Sequence, residues 1–504
     1  MRKRYFFILI FLSCLLSAPR TSLWAQNEIQ PWQAEDTGRL REVLERGNYL
    51  VFRADTVLTH DSAALDKDLV FVGCKAAVDR PVHGSVVVLD GELGLRWRSR
   101  VSGDVFLVRG TLFQSRRAEV GGKICRTTAA EVYRVVIDNL GDAARGVPLR
   151  LEFQTNRMGG FLLEGYDRVD GFSVSWGFKL IDPDFKKSPL IEARLITATT
   201  RQAFGFDSRL ELPLDKQRRY VFGVAGRSLT DTNDRWRLAD LENSVKAFLF
   251  GYDYRYYFKR EGYGVYFRRT YGKRSSLSLS WNNERYYSLK NLSPFTLLAQ
   301  ETFAPNLPVS SGPINSLVLS GVLDTRDDEF ITREGFRITA EGEIAGGRLG
   351  GHNSFSRFDI EIKRWDTFFK RHHTFLWGKV AGSDRSLPFQ RCYTLGNTLR
   401  AYNNFDFSGD RLLMAQASYG YEMPGLPVLD YLFFDWCPQV VFETGNAYFR
   451  TAPGGRYGDL KSDMGLGVCG RTLLGQLAVH WFRNLDGADI DARIRISLDM
   501  NIFE

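Results

Sequence analysis

Beyond residue 26 this chain has no apolar run approaching the ~18 residues that a membrane-spanning helix needs. Cysteine is sparse as well: six in 504 residues, at Cys14, Cys74, Cys125, Cys392, Cys437 and Cys469. They are scattered and never in CxxC spacing, so neither a disulfide framework nor a zinc site is expected. His372-His373 lies in a short turn beside Lys370 and Arg371, with no carboxylate or cysteine at ligand spacing, so no metal site is read there. G-x-S-x-G, H-E-x-x-H and P-loop patterns are all missing. No enzyme and no cofactor are expected.

The first apolar stretch has a different meaning. Arg2, Lys3 and Arg4 precede the apolar run from Tyr5 to Leu16, and Leu23-Trp24-Ala25 before Gln26 is a passable cleavage site. This is the layout of a secretory signal peptide. Lipid-linked processing at Cys14 is the alternative, against which Leu15 and Leu16 continue the apolar run. Removing residues 1–25 takes away Arg2, Lys3, Arg4 and Arg20 and no acid, so the formal charge of +8 falls to about +4. Such a balance does not point to nucleic acid.

The C-terminal third carries the strongest pattern. In the last segment Ile494, Ile496, Leu498, Met500 and Ile502 alternate with Arg493, Arg495, Ser497, Asp499 and Asn501. A period of two gives a strand one apolar and one polar face. Segment after segment repeats this, and no helices are supplied to cover the apolar faces. A closed sheet in lipid, apolar outside and polar inside, resolves that. The expected fold is all-β: a transmembrane antiparallel barrel of about sixteen strands over 146–504, in the outer membrane, with the N-terminal part in the periplasm.

Candidate strands are 169–179, 189–198, 203–213, 219–229, 263–271, 275–286, 314–325, 335–346, 354–367, 371–383, 410–423, 437–448, 461–472, 474–483 and 492–503. Barrels of this kind favour an even count, so one more strand is expected between Val147 and Glu164. Residues 236–250 read as a helix packed on the barrel end or lying at the lipid interface.

Residues 26–145 are a separate object. One helix is expected from Thr37 to Arg46, with Thr37 as its cap. After it, Val82-His83-Gly84-Ser85-Val86 is echoed by Val101-Ser102-Gly103-Asp104-Val105 and by Val120-Gly121-Gly122-Lys123-Ile124, each 19 residues on. Short strands with glycine corners at a period near 20 indicate a β-solenoid; an ordinary sheet with chance similarity is the alternative. Leu69 to Val72 is a candidate earlier rung. A charge at Val86, Val105 or Val120 should unfold this part, and one at Asp104 or Lys123 should be mild. Cys74 and Cys125, on separate rungs, should lie too far apart to bond. The valine–glycine texture resembles the bactofilin solenoids over some 60 residues.

In the barrel region several segments resemble the BamA/TamA-type outer-membrane insertase superfamily, also called the bacterial surface antigen family. Leu323-Asp324-Thr325-Arg326-Asp327 with Arg333-Glu334-Gly335-Phe336 looks like its D-x-R-D…G turn. Leu395-Gly396-Asn397-Thr398-Leu399-Arg400-Ala401-Tyr402 looks like its loop motif G-G-x-x-x-(V/L)-R-G-(F/Y). Tyr421-Glu422-Met423-Pro424, Val441-Phe442-Glu443-Thr444-Gly445 and Asp463-Met464-Gly465-Leu466-Gly467 look like the strand motifs that follow. Ala401 stands where the family has glycine, Glu443 where it has aspartate, and Asn397 follows a single glycine. The pattern is that of a divergent branch, without evident POTRA modules.

The resemblance implies that the loop around Arg400 and Tyr402 tucks into the lumen, with Glu422 and Glu443 as inner-wall partners of the arginine. The alternative is a solvated loop arginine. Asp324, Arg326, Asp327 and Gly335 are read as turn residues. A weakly closed seam is expected between first and last strands, near Gly171 and Phe178 on one side and Ile494 and Phe503 on the other. The implied work is insertion or translocation of a client protein or lipid-linked substrate, in contact with outer-membrane lipid. The alternatives are a passive channel, or an anchor whose periplasmic solenoid binds cell wall or self-associates. An outer-membrane hydrolase would need a Ser/His or Asp/His set that pattern alone does not reveal.

Overall fold

The computed structural model describes residues 29–499, except 54–55, 59–63, 97, 116–117, 142–149, 154–160, 182–188, 216–217, 272–273, 293–294, 299–302, 328–331, 370, 397, 404, 425–434, 452–458, 473–474 and 487–491. The signal peptide, Cys14 and Phe503 lie outside the described residues. Two compact units are present.

The N-terminal unit is a solenoid. Tyr49–Phe52, Asp68–Val72, Val86–Leu89, Val105–Val108 and Ile124–Thr127 stack in parallel, and Gln30–Pro31 returns to pair with the last. Val86 lies beside Val105, and Val105 beside Ile124, so the 19-residue repeat is the rung itself. Leu69 pairs with Val86, which makes 68–72 the earlier rung. Inward residues such as Leu69, Phe71, Val88, Leu93 and Leu107 form the core.

Two helices, not one, complete this unit among the described residues. Helix α1 is Ala34–Glu45 and α2 is Ala130–Leu140. Both pack on the outer face of the same stack, against Val70, Val87, Phe106, Val108 and Cys125. The strands Val86–Leu89 and Val105–Val108 are therefore buried on both faces, and such strands read as unbroken apolar runs. That run was the sequence signal for a covering layer. Helix α1 also starts earlier than Thr37. The Gln33 N–H donates to Asp36 Oδ2 at 2.7 Å, and the Thr37 hydroxyl instead accepts the Trp32 indole N–H at 3.0 Å. Cys74 and Cys125 are buried thiols on different rungs.

The glycine corners have a specific cause. Asp68 Oδ1 accepts the Ser85 N–H at 2.6 Å, Ser85 Oγ accepts Asp104 N–H at 3.1 Å, and Asp104 Oδ1 accepts Lys123 N–H at 2.7 Å. A β-carbon on Gly84 would lie 2.6 Å from Asp68 Oδ1, and one on Gly103 or Gly122 would collide with Ser85 Oγ or Asp104 Oδ1. Each glycine makes room for the polar side chain of the rung before. Asp104 is therefore part of the stack, and it also holds Arg39 at 2.8 Å; its expected mildness does not fit this structure. Gly103→Ala should destabilise the rungs by about 1–3 kcal/mol through overpacking. Gly38→Ala, in α1 with open space around it, should stabilise by up to about 1 kcal/mol. Amide hydrogen exchange over 82–127 in the intact protein, faster for the first and unchanged or slower for the second, checks both.

The second unit is an antiparallel sheet in sequence order. Two pairs of short segments each share one neighbour strand, which leaves 16 strand positions among the described residues. They are β1 (Arg150–Phe153 with Phe161–Asp167), β2 (Gly171–Ile181), β3 (Leu190–Ala198), β4 (Ala203–Pro213), β5 (Tyr220–Asp231) and β6 (Phe258–Tyr271). Next come β7 (Ser275–Ser288), β8 (Gly312–Asp324), β9 (Gly335–Ala345), β10 (Phe355–Phe368) and β11 (His372–Ser383). The last are β12 (Arg411–Tyr421 with Met423–Pro424), β13 (Asp435–Tyr448), β14 (Lys461–Thr472), β15 (Gly475–Asn484) and β16 (Ala492–Asp499). The expected extra strand is β1.

One face of this sheet is apolar and exposed, as at Leu279, Leu319, Ile344, Leu466 and Ile494. The other is polar and buried, with Glu211, Glu284, Glu343, Glu443 and Asp463. This is the barrel arrangement for lipid. The fold also places Cys437 opposite Cys469 across β13 and β14, a proximity the sequence spacing hid. Gly171 and Phe178 lie in β2, paired to β1 and β3, so they are not at the seam. The seam strands are β1 and β16, and no ladder joins them among the described residues. Ile494 is on β16, facing outward.

Helix α3 is Asp240–Phe250, in the connection from β5 to β6. Gly251, at φ 72°, ends it with the left-handed conformation that glycine adopts freely. The helix starts after Trp236, whose indole packs edge-on against Trp377 of β11 with centroids 5.9 Å apart.

Candidate functional site

The connection from β11 to β12, residues 384–410, is too apolar to stand in solvent. It contains a 3-10 turn, Phe389–Arg391, and a short ladder of Tyr393–Thr394 with Ser408–Gly409. Leu387, Cys392, Tyr393, Leu395 and Leu399 are buried in one cluster with Tyr286 of β7, Ile314 of β8, Phe355 of β10, Leu412 of β12 and Ala447 of β13. Those wall residues lie on the inward face. A loop touching the inner wall from β7 to β13 occupies the lumen.

Arg400 fixes one end of the loop. Its Nε and Nη2 donate to Glu443 Oε1 at 2.8 and 2.6 Å, and its backbone N–H donates to Glu443 Oε2 at 3.1 Å. The guanidinium also lies 4.5 Å from the centroid of the Phe482 ring. Asp463, beside Glu443 in the β13–β14 register, accepts the Ala401 N–H at 2.7 Å. Both acids are 0% exposed, and this loop supplies a hydrogen-bond donor to each. Ala401 fits in place of glycine because its methyl packs with Val441 and Phe482.

Tyr402 continues the attachment. Its hydroxyl lies 3.2 Å from Ser462 O and 3.3 Å from Asp486 Oδ2. Its carbonyl accepts from Arg493 at 3.0 Å and Arg495 at 3.3 Å, both on the inner face of β16. Arg495 also donates to the Arg400 carbonyl at 2.9 Å.

Glu422 is not a partner of Arg400. It follows Tyr421 at the short-turn end of β12, and its carboxylate accepts from His373 Nε2 at 2.8 Å. The long loops start at the other end of that strand, about 33 Å away at the usual rise per residue. Motif order alone did not say at which end of the strand the acid lies. In the β8–β9 turn, Thr325 and Phe336 exchange hydrogen bonds, Asp327 accepts the Arg333 N–H at 3.0 Å, and Gly335 opens β9 at φ 114°. Asp324 ends β8, its N–H donating to Ser275 Oγ at 3.1 Å, and Arg326 lies in the same turn.

Sequence reasoning missed the second anchor. Arg391 donates to both carboxylate oxygens of Glu343, at 3.1 and 3.2 Å, and lies 3.5 Å from Glu284. It missed a third at Arg237, which is held by Asp234 at 2.9 Å and donates to Gly396 O at 2.7 Å. An arginine in a loop gives no signal by itself. The acids do: Glu284, Glu343 and Glu443 are buried on the inward face of strands β7, β9 and β13.

The comparisons with known proteins agree with this geometry. The Omp85 superfamily domain matches residues 166–468, from within β1 to within β14, and so encloses the loop, Glu443 and Asp463. Among solved structures the chain is similar to BamA from Haemophilus ducreyi lacking POTRA domains 1-3, at 11% identity over 67% of this chain and 69% of that chain, TM-score 0.48. It is similar to CdiB from Acinetobacter baumannii at 11% identity, 67% of this chain and 58% of that one, TM-score 0.36. For CdiB from Escherichia coli the values are 10%, 70%, 67% and 0.37. These likenesses are too remote to add weight. No curated protein matches the sequence. A match over more than half of the chain, on a sheet with this inner-wall lock, settles the family: the chain belongs to the Omp85 superfamily and is an outer-membrane β-barrel.

Proposed function

We propose that this barrel inserts a client protein, or moves a protein or lipid-linked molecule, at the outer membrane, and does so along the β1–β16 seam without enzymatic chemistry. The observation that carries this reading is the contrast between lumen and seam. The 384–410 loop plugs the long-loop end of the lumen, held at Arg391 and Arg400. The seam has no ladder among the described residues. Unpaired strand edges can template an incoming strand. A passive channel would need an open lumen, which the packed loop opposes.

The matched solved structures include a BamA lacking POTRA domains 1-3 and CdiB proteins. In this chain a solenoid stands before the barrel. We place it in the periplasm, because an exported chain meets the membrane from that side and enters β1 at the short-turn end. Its rung Tyr49–Phe52 is an edge strand with one neighbour among the described residues, a second surface on which an extended client can pair.

The test uses proteoliposomes. A urea-unfolded small outer-membrane barrel should fold several-fold faster into liposomes carrying the protein than into empty ones, and planar bilayers should show no wide steady conductance. Equal folding rates with a wide steady current would replace this reading by the channel.

A further inference from the structure

Helix α3 lies where a lateral gate would need it. On one side it meets β1 and β2: the Phe248 ring packs on Tyr166 and Phe172, with centroids 5.4 and 5.3 Å away, and Ala247 is fully buried beneath. Gly165, next to a bulge in β1, is glycine for the same reason: a β-carbon there would collide with Ser244 Oγ of the helix. The β1–β2 turn is tied to the chain just after the helix by Arg168. Its buried guanidinium donates to Asp253 O at 3.0 Å and to Arg255 O at 2.7 Å.

On the other side the attachment is to β16. The helix touches that strand, and Arg495 Nη1 lies 3.2 Å from the Tyr254 hydroxyl. The β7–β8 connection straps the helix from outside, Leu297 and Leu298 donating to Phe248 O and Leu249 O at 2.8 and 2.9 Å. The two sides are unequal. Toward β1 there is an aromatic cluster and a buried arginine; toward β16, among the described residues, the polar tie is the Arg495–Tyr254 hydrogen bond.

We propose that α3 is a latch across the β1–β16 seam, hinged on β1 and released at Tyr254–Arg495. This rests on the seam reading of the preceding section. While the helix is docked, nothing of strand width can enter between β1 and β16 at the long-loop end. Arg495 also holds the Arg400 carbonyl, so one side chain ties the latch to the lumen loop. Movement of that loop and release of the helix are coupled through a contiguous pair of hydrogen bonds.

The first arm needs no client. Ala247→Cys adds a single sulfur atom, and its thiol reports undocking by reaction with a water-soluble maleimide in the full-length, detergent-solubilised barrel. Labelling should be much slower than for Phe250→Cys, which is exposed in the docked helix. Adding Tyr254→Phe removes only the hydroxyl and should speed Ala247→Cys labelling roughly ten-fold, the factor expected for one charge-assisted hydrogen bond. Labelling as fast as at Phe250→Cys, or unaffected by Tyr254→Phe, overturns the latch.

The second arm joins Tyr252→Cys, exposed just past the helix, to Ile494→Cys, exposed on β16, with a reducible bis-maleimide long enough to span them, using each single variant as control. Locked protein should lose folding assistance to the unfolded barrel, and reduction should restore it. Assistance that persists in the locked state overturns the latch and leaves the proposed function standing. If the unlocked protein never assists folding, the proposed function fails, and labelling of Ala247→Cys decides the latch alone.

Discussion

Arg400→Ala is expected to free the 384–410 loop while the sixteen-strand sheet stays folded. Glu443 and Asp463 are adjacent across β13 and β14 and fully buried. Among the described residues, Arg400 is the guanidinium hydrogen-bonded to Glu443. Breaking a buried pair from one side costs roughly 3–5 kcal/mol, because the remaining charge stays desolvated. Here Glu443 would stay buried beside Asp463 without its guanidinium partner. The sheet does not depend on this pair, since its ladders are backbone hydrogen bonds. The loop does, so the loss should surface as protease cleavage within 384–410, with faster amide exchange there and lost client folding.

Comparison among variants sharpens this. Glu443→Gln should be milder, because it removes a buried charge together with the bond. The double variant Arg400→Ala/Glu443→Gln should be less damaged than Arg400→Ala alone. Arg391→Ala should also be milder. Arg357 remains 2.5 Å from Glu343, and Arg260 remains 2.9 Å from Glu284 through its Nε. Glu422→Gln should leave loop protection at the wild-type level, since that acid pairs with His373. Equal protection of the loop in Arg400→Ala and wild type would mean that the apolar cluster holds it without the ion pair.

The barrel was legible because its physics is local. Strand β14 was read as 461–472 and β4 as 203–213, and both have those bounds. Each needs lipid on one face and water or a polar plug on the other, which writes a period of two into the residues. Strand β1 was harder: Phe161-Leu162-Leu163 breaks the alternation, and a register shift follows between Leu163 and Gly165. That misplaced the seam by one strand and put Gly171 and Phe178 in its place. Of the lumen lock, Arg400, Tyr402 and Glu443 came from the family resemblance. Asp463 lay in a quoted motif without a role, and Arg391, Arg495 and Tyr254 carried no signal. Their partners are tens to hundreds of residues away, and only register brings them together. Helix α2 was missed for a related reason, because its apolar spacing has meaning only against a strand face left uncovered.

Val105→Asp should have the largest effect in the solenoid. Val105 is fully buried between Val86 and Ile124 of the neighbouring rungs, with its side chain in the solenoid core. An unpaired carboxylate there costs several kcal/mol, because the side chains packed in that core are apolar. Val120→Asp should do less, since Val120 is only partly buried and belongs to the two-residue strand Glu119–Val120. Asp104→Ala should fall between negligible and severe, about 1–3 kcal/mol, through loss of the acceptor for the Lys123 N–H and of the Arg39 pair. Val87→Asp should act differently from Val105→Asp. Val87 faces α1 and α2, so exchange should rise first in the helices 34–45 and 130–140 and only then in the rungs. The order Val105, Asp104, Lys123 in loss of exchange protection, with helices lost ahead of rungs in Val87→Asp, ties each position to one face of the coil. If Val105→Asp and Lys123→Asp behave alike, the inward face has been assigned to the wrong residues.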